Sequence, residues 1–286
     1  MAKIAIVGGG PAGITAAIQL LRCGHEPVIF ERNKLGGTLR EARRIENYPG
    51  HPEVVSGKVL ASEFEKRARK RKIKVVKKEV AGISLKKGKF QVLAGKKPEE
   101  FDCVVLCTGT VPKRAGFPGE KKLEDAGHLF YEFSRISQLD EIKSACIVGA
   151  GEVALDYALN LADRGILATI IHRSEPMGIK ALLDEARKQK RISWLKGKVL
   201  KGEIKNSKPV VYLKGEKRQF DIALVAVGRE KRLPKLTGID PTKNVPGFKI
   251  AGDAWRGSLG QLAFAVADGL MAAMELDAQR GGGKWK

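Results

Sequence analysis

Hydrophobic and polar positions follow the same order twice along the chain. Residues 4–32 comprise an apolar stretch, a glycine-rich turn, an amphipathic stretch with helical spacing and a second apolar stretch, and residues 145–173 repeat this order without a gap. Short apolar runs that flank a helical pattern are typical of buried parallel strands. The pattern therefore predicts one βαβ unit in each half of the chain.

Each half also closes on a third apolar stretch. Residues 101–109 and 220–228 both begin with Phe-Asp, continue with mostly apolar residues and end in glycine, which indicates buried strands. Before these stretches, segments around 83–86, 90–94 and 210–214 predict short β-meanders. We therefore predict an α/β protein with two Rossmann-like, three-layer nucleotide-binding domains.

The first glycine turn carries a dinucleotide-binding pattern. Gly8, Gly10 and Gly13 form a G-x-G-x-x-G motif that follows a strand and opens a helix, and Glu31 ends the next strand. Such a turn brings backbone N–H groups and the positive end of the helix dipole to a pyrophosphate, while the carboxylate accepts hydrogen bonds from a ribose hydroxyl. A purely structural turn is disfavoured, because strand, turn, helix and acidic residue all occur in order.

The second turn differs at the acidic position. Its motif at 149–154 ends in alanine, and the repeat places His172 where the first copy has Glu31. Arg173 follows, and a cation in place of the carboxylate suits a cofactor with a 2′-phosphate. We therefore expect NADPH to be preferred to NADH. Glu175 opposes this preference, and the alternative is that the two basic residues only end a strand at the surface.

The charge balance adds a class of partner. Of 286 residues, 53 are Lys or Arg and 32 are Asp or Glu, which gives a formal net charge of +21, while 43% are hydrophobic. The apolar content excludes a disordered chain, and the length fits about two domains. The positive field favours nucleic acid, anionic lipid or acidic proteins as partners.

No segment has the pattern of a membrane span or a secretion signal. A strand predicted over residues 3–7 leaves no room for a signal peptide. The longest apolar stretch, 262–274, contains Asp268 and is shorter than the roughly 20 residues of a membrane span. We expect a soluble, cytoplasmic protein without membrane association, in which the cysteines stay reduced.

Taken in order, the motifs resemble those of the low-molecular-weight thioredoxin reductase family, the class II FAD-dependent pyridine nucleotide-disulfide oxidoreductases. The matching motifs are GGGPAG at 8–13, GGTL at 36–39, NYPG at 47–50, TG at 108–109, GAGEVA at 149–154, HR at 172–173, VGR at 227–229, AGD at 251–253 and QLA at 261–263. The resemblance implies a discontinuous FAD-binding domain, residues 1–112 and 245–286, around an NAD(P)H-binding domain, residues 113–244.

The resemblance also implies the cofactor contacts. For FAD these are Gly8, Gly10, Pro11, Ala12, Gly13, Glu31, Arg32, Gly37, Leu39, Asn47, Thr108, Gly109, Gly252, Asp253, Gln261 and Leu262. For NAD(P)H they are Gly149, Gly151, Glu152, Val153, Ala154, His172, Arg173, Val227 and Gly228. No catalytic side chain is implied, because the flavin itself accepts hydride from NAD(P)H. A helix from about Gln261 would stabilise the reduced flavin, and Asp253 either binds a ribityl hydroxyl or is an ordinary turn aspartate.

The chain departs from this family at its redox cysteines. Members that reduce disulfides carry Cys-x-x-Cys just before the second glycine motif, where this chain has Tyr131 and Ser134. Cys103 and Cys107 lie in one predicted strand with Cα atoms about 13 Å apart, too far for a disulfide. We expect the internal dithiol relay to be missing. The cysteines, which we expect to be small core residues, are Cys23, Cys103, Cys107 and Cys146.

These features imply an FAD-dependent NAD(P)H oxidoreductase that delivers electrons to an external acceptor. The family includes ferredoxin/flavodoxin–NADP reductases without the cysteine pair. We therefore expect an acidic ferredoxin or flavodoxin, steered by the net charge of +21, and a homodimer. The alternatives are a disulfide reductase that uses thiols of its partner or substrate, and a non-catalytic nucleotide-sensing protein that binds nucleic acid through its basic face.

Several further features have both a functional and a structural interpretation. The basic run at 66–74 could bind nucleic acid, but it lacks aromatic residues and an accompanying motif, so we favour a solvated helix face. Trp255 either covers the flavin edge or packs. His51 and His128 are isolated histidines, and we predict no metal site. The arginines that either line the flavin mouth or lie at the surface are Arg40, Arg43 and Arg44.

Overall fold

The computed structural model describes residues 1–136, 141–257 and 260–281. The chain forms two compact units, each built on a five-stranded parallel sheet. The discontinuous unit, as we call it, comprises Met1–Val111 and Glu230–Lys286, and the inserted unit comprises Pro112–Arg229.

Strands and helices alternate as the sequence predicts. In chain order the strands are β1 (Lys3–Val7), β2 (Glu26–Phe30), β3 (Lys74–Val76), β4 (Gly82–Lys86), β5 (Lys89–Leu93), β6 (Pro98–Phe101), β7 (Cys103–Leu106), β8 (Thr110–Pro112), β9 (Leu129–Phe130), β10 (Ser144–Val148), β11 (Leu167–His172), β12 (Ile192–Lys196), β13 (Lys201–Lys205), β14 (Lys208–Leu213), β15 (Glu216–Gln219), β16 (Ile222–Val225), β17 (Arg229–Lys231), β18 (Lys235–Thr237) and β19 (Phe248–Ile250). The α-helices are α1 (Pro11–Arg22), α2 (Gly57–Lys70), α3 (Glu120–Asp125), α4 (Glu152–Asp163), α5 (Lys180–Lys188), α6 (Asp253–Arg256) and α7 (Leu262–Gln279), and the 3₁₀ helices are η1 (Gly37–Glu41) and η2 (Phe133–Arg135). Among the residues described, no helix is long and apolar enough to span a membrane.

The central sheet of the discontinuous unit has the strand order β19-β7-β1-β2-β3, and all its pairs are parallel. A second sheet, β18-β4-β5-β6, contains the predicted meander as β4 and β5. β18 pairs with β4, with Lys235 opposite Gly82. The predicted boundary after residue 244 is therefore displaced, because the chain has already returned to the discontinuous unit at Glu230.

The inserted unit repeats this plan. Its central sheet has the parallel order β12-β11-β10-β16-β9, beside an antiparallel meander, β13-β14-β15. β10 pairs with β11 and β16 as β1 pairs with β2 and β7, so the sequence repeat is a structural repeat. The prediction of two Rossmann-like domains is confirmed.

The last helix packs tightly on the first. A Cβ added to Gly269 of α7 would lie 2.1 Å from the carbonyl oxygen of Ala12 in α1, so the two backbones approach as closely as glycine allows. Ile14 and Leu20 of α1 and Leu276 of α7 are fully buried at this side of the sheet. Each such side chain contributes about 1.5–3 kcal/mol to folding. This packing brings the end of the chain against the first glycine motif.

Candidate functional site

Three predicted contacts follow strands at the same edge of the discontinuous unit's central sheet. β1 runs parallel to both β2 and β7, so Gly8, Glu31 and Thr108 all lie at or just beyond the carboxyl ends of neighbouring strands. In open α/β sheets, ligands bind in the crevice outside this edge. The topology of the backbone therefore defines a candidate ligand crevice.

The three glycines of the first turn differ in what surrounds them. A Cβ on Gly8, where φ is +110°, would lie 2.1 Å from the carbonyl oxygen of Cys107, and one on Gly13 would lie 1.9 Å from that of Gly8. Packing within the protein therefore requires both glycines. A Cβ on Gly10 would meet no described atom within 4 Å. The space beside Gly10 is open to a ligand that approaches the backbone closely.

The start of α1 faces this space without a cap. Gly10 is the N-cap and Pro11 the first residue, and no side chain of the described residues makes a capping hydrogen bond to the first turn. The N–H groups of this turn and the helix dipole can therefore attract an anion. Glu31 accepts instead from the N–H groups of Gly9 at 2.8 Å and Asn33 at 2.7 Å. These bonds fix the carboxylate, and its other lone pairs remain for a hydroxyl.

The loop after β2 packs on the same turn. The Gly36 N–H donates to the carbonyl oxygen of Gly9 at 2.8 Å. A Cβ on Gly37 would lie 3.2 Å from the Cα of Gly10. Leu39, in the middle of η1, is buried. The predicted GGTL contact segment therefore forms one wall of the crevice.

Thr108 has a buried hydroxyl without a partner. Its Oγ1 makes no hydrogen bond to any described residue, whereas nearly all buried polar groups in proteins are paired. The neighbouring Gly109 has a φ of +65°, and a Cβ there would meet no atom of the described residues within 4 Å. An orphaned hydroxyl beside open space at the crevice fits a ligand that supplies the missing partner.

Two predicted contacts that are far apart in sequence are hydrogen-bonded. Asn47 Nδ2 donates to Gln261 Oε1 at 3.0 Å. Gln261 is the N-cap of α7, and Leu262 is the first residue of this helix. The predicted start of the last helix is therefore confirmed, and the segment after η1 reaches it.

An ion pair behind the Gly252-Asp253 turn was not predicted. Arg256 donates through Nε and Nη2 to the two carboxylate oxygens of Asp268, both at 2.7 Å. The Gly252 N–H donates to the same carboxylate at 3.2 Å, and its φ of +68° favours glycine. The guanidinium also lies 4.4 Å from the ring centre of Phe264. The ion pair thus holds the turn that presents Asp253.

These groups together fit FAD. Uncapped N–H groups suit a pyrophosphate, a fixed carboxylate suits a ribose, and an unpaired buried hydroxyl and an amide pair suit the polar edges of a flavin or its ribityl chain. All of them lie in the discontinuous unit.

The inserted unit contains a second open turn. A Cβ on Gly149, where φ is +120°, would lie 2.2 Å from the carbonyl oxygen of Ala226, whereas one on Gly151 would meet none of the described atoms within 4 Å. Gly151 is the N-cap of α4, and within the described part of the chain no side chain caps this helix either. Ala154 is fully buried at the third motif position. The same arrangement of backbone therefore fits a second nucleotide.

Other residues predicted for this second site lie in the first turn of α4 or just after β16. Glu152 is exposed in the first turn of α4. Val153 and Val227 are 38% and 39% exposed. Gly228 has a φ of +113°, and its carbonyl oxygen accepts from the Lys113 N–H at 3.0 Å. The exposed valines are apolar surfaces that a bound ring could cover.

His172 and Arg173 lie at the end of β11. His172 Nδ1 lies 2.9 Å from the carbonyl oxygen of Ser174, so this nitrogen carries a proton and bonds within its own turn. The ring packs edge-on against Trp194 with centres 6.0 Å apart. Arg173 is exposed. Of the two residues, Arg173 is thus the more available to a phosphate.

A tyrosine network occupies the position of the missing cysteines. The Tyr131 hydroxyl donates to Glu120 at 2.7 Å and accepts from Arg114 at 3.2 Å. Burial raises the pKa of Tyr131 well above its usual range, and the carboxylate of Glu120 adds to this shift. Ser134 follows in η2. Neither predicted position can therefore carry a dithiol.

The four cysteines are all free. Cys103, Cys107 and Cys146 are buried, as predicted. Burial raises the pKa of Cys146 to about 12, and burial raises that of Cys107 as well. The prediction is wrong for Cys23, which is partly exposed because α1 ends there, and its Sγ accepts from Gln19 at 3.6 Å.

The arginines after the second predicted flavin motif do not form a single charged surface. Arg40 points inward, where Nε donates to the carbonyl oxygen of Leu35 at 2.7 Å and Nη2 donates to Glu65 at 2.7 Å. Arg44 pairs with Glu46 at 3.0 Å on the surface. Arg40 thus holds η1 against α2.

Two other residues named from the sequence lie at the surface. Arg32 pairs with Glu79 at 3.2 Å. Trp255 is 56% exposed, and its carbonyl oxygen accepts from Lys231 Nζ at 2.5 Å.

The basic run at 66–74 covers the end of α2 and the start of β3, and its cations are exposed. Because α2 leads into a strand parallel to β2, this end of α2 lies at the amino edge of the sheet. The crevice lies at the opposite edge. The basic run is therefore remote from the candidate site.

Comparison with known proteins gives this arrangement a family. The model of the family described as pyridine nucleotide-disulphide oxidoreductase matches residues 2–241. Among curated proteins, the chain is 27% identical over 306 residues to a thioredoxin reductase of Peptoclostridium acidaminophilum. The alignment covers 96% of this chain and 95% of that protein.

Solved structures share the fold. The thioredoxin reductase of Lactococcus lactis in its FR conformation has a TM-score of 0.85 at 22% identity, over 98% of this chain and 99% of that chain. The thioredoxin reductase of T. acidophilum has a TM-score of 0.85 at 25% identity, over 98% of each chain.

Proposed function

The chain belongs to the pyridine nucleotide-disulphide oxidoreductase family and is thioredoxin reductase-like, and on that premise we propose that it oxidises NAD(P)H through bound FAD and passes the electrons to an external acceptor. The observation that carries the proposal is the open, uncapped turn at Gly10 beside the orphaned hydroxyl of Thr108. When bound, FAD would supply the redox chemistry that links a hydride donor to an electron acceptor.

The chain's own groups bind and orient the cofactor. The first-turn N–H groups of α1 hold the pyrophosphate, and Glu31, fixed by two backbone bonds, accepts from the adenosine ribose. Thr108, Asp253 and the N-cap of α7 would hold the flavin end of FAD, where the dipole of α7 would favour negative charge. In the inserted unit, the turn at Gly151 binds NAD(P)H in the same way.

The acceptor we propose is an acidic electron carrier such as a ferredoxin or flavodoxin. The described residues contain no dithiol at Tyr131 and Ser134, and Cys107 and Cys146 are buried with raised pKa values. The described residues therefore offer no thiol relay, and bound FAD would itself supply the electrons to the acceptor. The formal net charge of +21 favours encounter with an acidic protein.

A second acceptor is favoured by the relatives. The curated relative and the two solved structures described above are named thioredoxin reductase. A disulfide carried by the partner or substrate, with its own thiols, would then take the electrons. The free cysteines fit a reducing compartment such as the cytoplasm under either proposal.

We also propose a homodimer that forms through α7. Phe264 and Met271 are 44% and 54% exposed, and the nearby charge of Glu275 is paired with Lys249 at 2.5 Å. In a chain with a charge of +21, this uncharged face keeps the local charge repulsion between two copies low. The exposed apolar residues of the face are Ala263, Phe264, Ala267, Leu270, Met271 and Ala278.

Two matched glycine variants test the proposed function. In both Gly10→Val and Gly151→Val the new side chain meets only open space and replaces an N-cap glycine, so their effects on folding should match. We expect wild type to bind about one FAD per chain and to be bleached by NADPH under anaerobic conditions. Gly10→Val should lose FAD, whereas Gly151→Val should keep FAD but resist bleaching.

A panel of ferredoxin, flavodoxin, thioredoxin and a small disulfide then identifies the acceptor. A folded wild-type protein that stays colourless after incubation with FAD would refute the proposal. Equal FAD binding by Gly10→Val and wild type would refute the assignment of the first turn.

A further inference from the structure

Lys196 stands beside the end of β11 in the inserted unit. The parallel register of β11 and β12 places it opposite His172, and the N–H of the next residue, Gly197, donates to the His172 carbonyl oxygen at 2.8 Å. Lys196 is therefore held by the sheet backbone at the strand end that Arg173 follows. Sequence patterns give no sign of this, because 19 residues (173–191), which include helix α5, separate the two strands.

The lysine reaches over the loop after Arg173. Its Nζ lies 3.2 Å from Oε1 of Glu175, and both side chains are largely exposed. Glu175 is the acidic residue that opposes binding of a phosphate at this loop. The pairing offsets that charge, so the strand end presents a net positive group.

We propose that Lys196 is a specificity-determining residue for the nicotinamide cofactor: together with Arg173 it attracts a phosphate on the adenosine 2′-oxygen, and it neutralises Glu175. This inference rests on the proposed binding of NAD(P)H by the inserted unit. A ligand without the 2′-phosphate gains nothing from the second cation, so Lys196 acts on discrimination and not on nucleotide binding in general.

The effects of the Lys196 and Glu175 charges on phosphate binding depend on each other. When Lys196 is present, it offsets Glu175, so removal of the carboxylate has a small effect. When Lys196 is absent, Glu175 faces the phosphate directly, and its removal has a larger effect. The groups are exposed, so the coupling weakens with added salt.

The probes are adenosine 2′,5′-bisphosphate and AMP, which differ only by the 2′-phosphate. Their Kd values are measured by calorimetry on the FAD-loaded protein at low salt, for wild type, Lys196→Ala, Lys196→Arg, Glu175→Gln and the double variant Lys196→Ala/Glu175→Gln. The matched control is Lys201→Ala, which removes an exposed lysine ion-paired to Glu203 elsewhere in the same unit.

We expect Lys196→Ala to weaken binding of the bisphosphate about fivefold, as for an exposed charge contact, and to leave AMP unchanged. Lys196→Arg should retain discrimination. Glu175→Gln should strengthen bisphosphate binding more in the Lys196→Ala background than in wild type. The NADPH to NADH ratio of kcat/KM should follow the same order.

An effect of Lys196→Ala that is equal for both nucleotides, or no larger than that of Lys201→Ala, would overturn the inference and leave the proposed function intact. The absence of an interaction between the two substitutions would overturn the neutralising role. If the wild-type protein bound neither nucleotide and was not reduced by NADPH or NADH, the proposed function itself would fall, and the inference with it.

Discussion

His25 and Asp277 are 252 residues apart in sequence, and their side chains meet in the interior of the discontinuous unit, with His25 Nε2 3.1 Å from Asp277 Oδ1. Both side chains are at most 7% exposed. The Ala2 N–H donates to His25 Nδ1 at 3.2 Å, so Nδ1 is an acceptor and Nε2 donates to the carboxylate. The contact joins the turn before β2 to α7, and so joins the two chain segments of the unit.

We expect Asp277→Ala to lower the free energy of unfolding by about 1–3 kcal/mol, because it leaves a buried imidazole N–H unsatisfied. Asp277→Asn, which keeps an acceptor oxygen, should cost less. Urea denaturation of the apoprotein, followed by circular dichroism, measures both. The control is Glu275→Ala on the same helix, which removes only the exposed end of an ion pair and should cost below about 1 kcal/mol. Equal costs for Asp277→Ala and Glu275→Ala would contradict the structural role of the buried contact.

The buried thiols should make the free energy of unfolding depend on pH in the alkaline range. Burial raises the pKa of Cys146 to about 12, whereas an unfolded cysteine titrates near 8.5. Above that pH the unfolded state loses its proton while the native state keeps it. The contribution of this thiol to stability is therefore full below about pH 8.5 and is lost as the pH rises towards 12. Cys146→Ala should flatten the fall in stability between pH 8.5 and 11 relative to wild type.

The same thiols should be chemically silent in the native protein. The thiolate is the reactive form, so alkylation of Cys107 and Cys146 by iodoacetamide should follow unfolding and not ordinary thiol titration. A variant with all four cysteines replaced by Ala or Ser should still be reduced by NADPH. Loss of turnover at unchanged stability in that variant would reveal a thiol relay.

The ion pair of Arg256 and Asp268 gives a prediction for flavin binding. Asp268 accepts from the Gly252 N–H as well as from the guanidinium, so it fixes the turn before Asp253. Asp268→Asn should weaken FAD binding about tenfold, which corresponds to one charge-assisted hydrogen bond, and shift the flavin absorption spectrum. Fluorescence titration of the apoprotein measures the Kd. Glu275→Gln serves as the control, and an equal Kd in the two variants would show that the ion pair is only structural.

The proposed dimer predicts a monomeric variant. Met271→Asp places a charge in the middle of the apolar face of α7, at a side chain that is 54% exposed in the single chain. We expect sedimentation equilibrium to change from dimer to monomer while the far-ultraviolet circular dichroism stays the same. Lys201→Asp, in the inserted unit, is the matched control for an added charge. A wild-type protein that sediments as a monomer at micromolar concentration would refute the proposed interface.

The sequence predicts the fold well where a pattern repeats. It predicts poorly where a strand is very short or where a contact joins residues that are distant in sequence. Glycines at equivalent places in two βαβ units allowed both central sheets to be predicted. β18 is only three residues long and has no recognisable sequence pattern, so the end of the inserted unit was predicted too late in the chain. The orphaned Thr108 hydroxyl and the pairing of Arg256 with Asp268 depend on tertiary packing. Arg40 shows the reverse, since a residue predicted to line the flavin mouth or to lie at the surface points inward and is bound to Leu35 and Glu65.

Docking of an acidic acceptor by charge would make electron transfer depend on salt. If an acidic carrier docks by charge, NADPH-dependent reduction of ferredoxin or flavodoxin should slow steeply with ionic strength, because the Debye length falls from about 30 Å at 0.01 M salt to about 10 Å at 0.1 M. Stopped-flow measurement of flavin reduction by NADPH alone should show a weaker dependence on ionic strength, because the 2′-phosphate of NADPH is bound by nearby side chains.

Charge reversal separates a local docking surface from the field of the whole protein. Arg44→Glu changes an exposed charge in the segment between two predicted flavin motifs, whereas Lys70→Glu makes the same change at the end of α2, on the edge of the sheet opposite the crevice. Reversing Arg40 is unsuitable, because its guanidinium holds η1 in place. Docking near the flavin predicts that Arg44→Glu slows carrier reduction more than Lys70→Glu, and equal slowing indicates steering by net charge alone. If carrier reduction responds to neither salt nor charge reversal, the acidic-carrier proposal is refuted, and a disulfide becomes the better candidate acceptor.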